Sequence, residues 1–101
     1  MEIKATKRGP RLRVLLVGEL DHHSAERARR VLDHLLRDIS VRELALDFSG
    51  LTFMDSAGLG VVLGRYRTLH ARGGKVLLLG VSRSIDRIFR MSGIYALCER
   101  L

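Results

Sequence analysis

Hydrophobic and polar positions alternate at the start of the chain. Ile3 to Lys7 and Arg11 to Val17 flank Arg8-Gly9-Pro10, a turn-forming group, and this predicts an antiparallel hairpin. Leu12, Val14 and Leu16 share one face of its second strand and Arg13 faces the other way. Because Leu15 and Val17 follow on the Arg13 side, that strand is expected to become buried on both faces along its length.

The period then changes. From Ala25 to Ile39 the apolar positions Ala28, Leu32, Leu35, Leu36 and Ile39 recur at helical spacing, and Arg27, Arg30, His34 and Arg37 mark the opposite, solvated stripe. Asp21 or Ser24 caps this first helix. Leu44 to Phe48 reads as a buried strand, with Asp47 near the exit where open sheets carry function, and Ser49-Gly50 as a turn after it.

A second helix follows, with Leu59, Val62, Leu63, Tyr66 and Leu69 as the inward stripe, Arg65, Arg67 and Arg72 pointing away, and Gly73-Gly74 as its stop. Lys75 to Leu79 is another continuous apolar strand, and the strand, helix, strand order implies a parallel crossover. Ser82 or Ser84 caps a third helix with Ile85, Ile88 and Phe89 inward and Gly93 at its end. Tyr95 to Leu101 is too short to assign. No repeat or low-complexity segment interrupts this order, so residues 1–101 read as one α/β domain.

Between the middle strand and the second helix lies Phe53-Met54-Asp55-Ser56-Ala57-Gly58-Leu59-Gly60. Asp55 and Ser56 are both residue types that cap a helix, so a helix starting at or just after Ser56 is expected, and Ser56 can be read as a simple cap. The glycines are unusual there. Gly58, Gly60 and Gly64 each weaken a helix by about 1 kcal/mol relative to Ala. Glycine where it weakens a helix suggests close approach to the backbone by the sheet beneath, a partner protein or a nucleotide phosphate.

Composition narrows the classes of function. The chain carries a net charge of +7, but fifteen of its eighteen basic residues are Arg spread over all three helices, and its few aromatics fall at core-like positions. Base stacking needs exposed aromatics, so direct nucleic-acid binding is not expected. The single cysteine, Cys98, forms no internal disulfide and suits a reducing compartment. No basic and apolar leader opens the chain and no apolar run approaches the ~20 residues of a membrane span, which gives a cytoplasmic expectation.

Three blocks carry a resemblance. Phe53-Met54-Asp55-Ser56-x-Gly58-Leu59-Gly60 with Leu63-Gly64-Arg65-Tyr66 resembles the phosphorylation-site motif of the anti-sigma factor antagonists, a branch of the STAS domain family. Gly18-Glu19-Leu20-Asp21-His22-His23-x-Ala25-Glu26 and Met91-Ser92-Gly93 agree with it in order and spacing, and the pattern is nearest to the sporulation, sigma-F branch. The resemblance implies a mixed four- to five-stranded sheet, with an N-terminal antiparallel hairpin and parallel strands, packed against three to four helices.

It also implies an anti-anti-sigma function without enzymatic activity or cofactor. The unphosphorylated form binds an anti-sigma factor serine kinase, with ADP or ATP on the kinase, and releases the sigma factor. Phosphorylation of the serine matching Ser56 ends this, and a metal-dependent, PP2C-type serine phosphatase restores it. A second serine found in the sporulation antagonist is Ala57 here, which leaves Ser56 as the one acceptor. Partner contact is implied for Asp21, His22 and Asp55 through Gly60.

Other chemistries fit the residues less well. Ser56 with His22, His23 or His70 lacks a Gly-x-Ser-x-Gly frame, an oxyanion site and an orienting acid. Adjacent His22 and His23 project in different directions, and neither His34 nor His70 stands at ligand spacing from them, so no metal site is expected. The alternative kept open is a STAS module serving a different sensor kinase, or holding a nucleotide at the Gly-rich helix start.

Overall fold

Gly9, at φ 57°, turns the chain between β1 (Glu2–Arg8) and β2 (Arg11–Leu20), and the two strands pair antiparallel as the sequence predicts. The computed structural model describes residues 1–101. It continues with α1 (Ala25–Leu35), β3 (Glu43–Met54), α2 (Ser56–Ala71), β4 (Lys75–Leu79), α3 (Arg83–Ser92), a 3-10 turn (Ile94–Ala96) and β5 (Glu99–Arg100). The five strands lie in sequence order in one sheet, and every pair after the hairpin is parallel. The mixed sheet with three α-helices is the expected architecture, and the unassigned tail supplies the 3-10 turn and the short fifth strand.

All three helices pack on one face of the sheet. Leu12, Val14 and Leu16 of β2, Leu44, Leu46 and Phe48 of β3, and Val76 and Leu78 of β4 meet Ala28 and Leu32 of α1, Val62 and Leu69 of α2, and Ile85 and Phe89 of α3 in one core. The opposite face holds no helix. It forms an open trough of about 760 Å³ lined by Lys4, Thr6, Arg8, Arg11 and Arg13 among others, so Leu15 and Val17 are only half-buried. The expectation of a second strand buried on both faces is therefore corrected.

Four further expectations change. Ser49-Gly50 does not end a strand: Leu15 pairs with Asp47 and Val17 with Gly50, so β3 carries one extra residue there and continues to Met54. α1 stops at Leu35, one turn short of Ile39, which is 75% exposed in the following loop. Arg72 does not point away. Its guanidinium donates to the carbonyls of Leu36 (2.7 Å), Asp38 (3.3 Å) and Val41 (3.4 Å), in the loop that follows α1.

Arg65 is corrected in the same way, since it is 7% exposed and faces inward with Val61, Val62 and Leu69. Gly58 explains the rotation. A Cβ on Gly58 would stand 2.6 Å from the Leu20 carbonyl oxygen and 2.6 Å from Met54 Cγ, so this residue fixes which side of α2 meets the sheet. Seven residues on, nearly two whole turns, Arg65 falls on that same side.

Candidate functional site

β2 and β3 run parallel to a common end, where Leu20 pairs with Met54. Each strand then leaves the sheet into a helix, so the Asp21-His22-His23 loop and the Asp55-Ser56 helix start are delivered side by side. Asp55 joins them. One carboxylate oxygen accepts from Ala57 N (2.9 Å) and Gly58 N (3.3 Å), and the other accepts from the backbone N–H of His22 (3.2 Å). The His22 ring lies over the same carboxylate, with Nδ1 at 3.6 Å.

Asp55 is thus the N-cap of α2, and Ser56 is the first residue within the helix. The reading of Ser56 as a simple cap is set aside by this geometry. Its side chain is exposed and has no capping task to perform. The macrodipole of α2 starts at this residue, and its positive end favours added negative charge.

Asp21 does not cap α1 through helical geometry either. Its carboxylate accepts from His23 N (2.9 Å) and Ser24 N (3.0 Å), folding the loop into a tight turn, while the Ser24 hydroxyl donates to Glu19 O (2.8 Å). Ser24 occupies the cap position without a side-chain cap bond. The Ser24 amide, above all, holds the Asp21 carboxyl below the usual carboxylate range. Burial pushes the Asp55 carboxyl up, but the amides of Gly58, Ala57 and His22 outweigh it and leave the group depressed.

The predicted residues therefore gather, with different exposures. Ser56, His22 and Gly60 are exposed, Asp21, Asp55, Ala57 and Leu59 are half-buried, and Gly58 is buried against β2. The sheet comes near at Gly58, whereas a Cβ on Gly60 or Gly64 would meet nothing of this chain within 4 Å. His70 stacks on Tyr66 at 5.3 Å, and no set of three His, Cys, Asp or Glu side chains is grouped for a metal ion. Asp47 serves the open sheet face instead, accepting from Arg13 (3.0 Å) and Ser49 N (2.9 Å).

One part of the surroundings was not legible from spacing. Ile88, Met91 and Ser92 of α3 stand beside Asp55, Ser56 and Leu59 around a shallow, open hollow of about 310 Å³. Met91 and Ser92 belong to the Met91-Ser92-Gly93 block of the resemblance. No helix of the chain is long and apolar enough to cross a membrane.

Comparison with known proteins places this geometry. The model of the STAS domain matches residues 2–99. An anti-sigma F factor antagonist of Paenibacillus polymyxa is 38% identical over 82 residues, which is 81% of this chain and 70% of that protein. The solved structure of the anti-sigma factor antagonist SpoIIAA in its unphosphorylated form is 30% identical with a TM-score of 0.79, over 99% of this chain and 87% of that one. The Bacillus cell fate determinant SpoIIAA in the phosphorylated form gives 32% and 0.78, over 99% and 91%.

Proposed function

Because this chain belongs to the STAS domain family, within its anti-sigma factor antagonists, we propose that it is an anti-anti-sigma factor switched by phosphorylation of Ser56. The unphosphorylated form docks on an anti-sigma factor serine kinase carrying ADP or ATP and displaces the sigma factor. Transfer of phosphate to Ser56 ends the docking, and a PP2C-type phosphatase reverses it. The 38% identical relative favours a sigma-F type of pathway.

One observation carries the reading. The Ser56 hydroxyl is exposed at the first position of α2 while Asp55 does the capping, so the serine is free for chemistry and its loss leaves the cap intact. A phosphate there adds about −1.5 to −2 charges at neutral pH. The helix dipole accommodates that charge within the fold, and the Asp55 and Asp21 carboxylates make the same patch more negative towards a partner.

The change is thus local to the docking surface. The near-equal likeness of this chain to the unphosphorylated and phosphorylated forms of SpoIIAA, with TM-scores of 0.79 and 0.78, supports a fold that serves both states. Incubation with the cognate kinase and labelled ATP tests the assignment. Label is expected on the wild-type protein and absent from Ser56→Ala, and undiminished label on Ser56→Ala would refute it.

A further inference from the structure

Met91 is 84% exposed on the last turn of α3, although Ile85 and Phe89 of the same helix are buried. The core does not use its side chain. Ile88 lies one turn back on the same side of the helix, half-buried, and with Leu59 of α2 the two form the apolar wall of the 310 Å³ hollow. Ser56 itself stands on the rim.

We infer that this hollow is the apolar anchor point for the kinase, which seats one apolar side chain against Met91, Ile88 and Leu59 as it reaches Ser56. The inference rests on Ser56 being the phosphoacceptor. Phosphoryl transfer brings the reacting atoms to about 3–3.5 Å, and a specific interface covers about 800 Å² on each partner. A kinase placed on Ser56 therefore also covers a hollow of which Ser56 is a wall.

Asp55 and Ser92 line the hollow as well, and Asp21 and His22 of the loop tied to Asp55 add further polar groups beside the serine. The hollow offers apolar burial directly beside the serine, and such pockets carry most of the affinity of an interface. Methionine suits the position, because its unbranched, polarizable chain adapts to the shape of a partner. The arrangement also couples affinity to the switch. A phosphate on the rim must shed water to let an apolar group fill the hollow, so the contact that draws the kinase is the one that phosphorylation removes.

Steady-state phosphorylation of Met91→Ala by the cognate kinase tests this, with Ile39→Ala as control. Ile39 is 75% exposed but precedes β3, whereas Ser56 follows it, so the two lie at opposite ends of a 12-residue strand. Met91→Ala is expected to raise KM about tenfold with kcat within about twofold. Its thermal midpoint and both constants of Ile39→Ala stay at wild-type values. A wild-type KM for Met91→Ala, with label still on Ser56, overturns the anchor and leaves the functional reading standing. Absence of label on wild-type Ser56 overturns both.

Discussion

The Asp55 carboxylate accepts the backbone N–H of His22 at 3.2 Å, which ties the loop leaving β2 to the first turn of α2 across 33 positions of sequence. The same side chain caps α2 through Ala57 and Gly58, so one residue sets both the helix entrance and the loop beside it.

Replacement of Asp55 removes both roles at once. Asp55→Ala should lower the thermal midpoint by about 5 °C, whereas Ser56→Ala should leave it within about 2 °C of wild type. Melting curves of the two variants check this. A larger loss for Ser56→Ala would mean that the serine, and not its neighbour, holds the helix start.

Two glycines in the same helix should respond oppositely to alanine. At Gly58 the new Cβ would stand 2.6 Å from the Leu20 carbonyl, a backbone atom held in β2, so Gly58→Ala should cost about 1–3 kcal/mol despite better helix propensity. At Gly60 a Cβ meets nothing, and Gly60→Ala should stabilise by about 0.5–1 kcal/mol. Urea denaturation separates the two signs.

Stability should be flat near neutral pH and fall at both ends. The Ser24 amide for Asp21, the Tyr95 hydroxyl for Asp86, and the Gly58, Ala57 and His22 amides for Asp55 depress these carboxyls in the fold. Their contribution is present above the unfolded value near 3.8 and is lost as pH falls through the lower folded values. At the alkaline end, burial and the hydrogen bond to Asp86 push Tyr95 from 10.0 up to about 12. That contribution is present below pH 10 and lost as pH rises towards 12. Thermal midpoints from pH 2 to 12 test the shape, and Tyr95→Phe should flatten the alkaline fall.

Arg65 is buried with Nε and Nη1 lacking hydrogen bonds, and its nearest opposite charge is Asp33 at 3.1 Å on α1. Replacing a desolvated guanidinium by an apolar chain of similar length removes the need for a partner. Arg65→Met should therefore lie within about 1 kcal/mol of wild type or above it. Asp33→Ala leaves the cation uncompensated and should cost about 1 kcal/mol, a surface-like value because Asp33 is 54% exposed. Denaturation midpoints of both variants and the double mutant decide between them.

Much of this was legible in the sequence because it rests on local rules. The turn at Gly9-Pro10 and the stop at Gly73 follow from one residue's backbone preference, and the cap of α3 follows from a serine side chain, Ser82 of the two the sequence offers. Features set by distant contacts were not. The orientation of α2 depends on Gly58 meeting Leu20, so periodicity alone points Arg65 outward in a helix that is apolar on most sides. The bulge at Gly50 depends on how β2 and β3 pair. For the site, Asp55, Ser56 and Asp21 were found through motif and capping chemistry, while Ile88 and Met91 become neighbours of Ser56 only when α3 is laid beside α2.

The central claim is that charge on Ser56 gates docking. Isothermal titration of the ADP-bound anti-sigma factor kinase with the two forms of this protein, unphosphorylated and stoichiometrically phosphorylated at Ser56, tests it most directly. The unphosphorylated form should bind at least about 100-fold more tightly, a difference of about 2.7 kcal/mol. Equal affinity of the two forms would contradict the account.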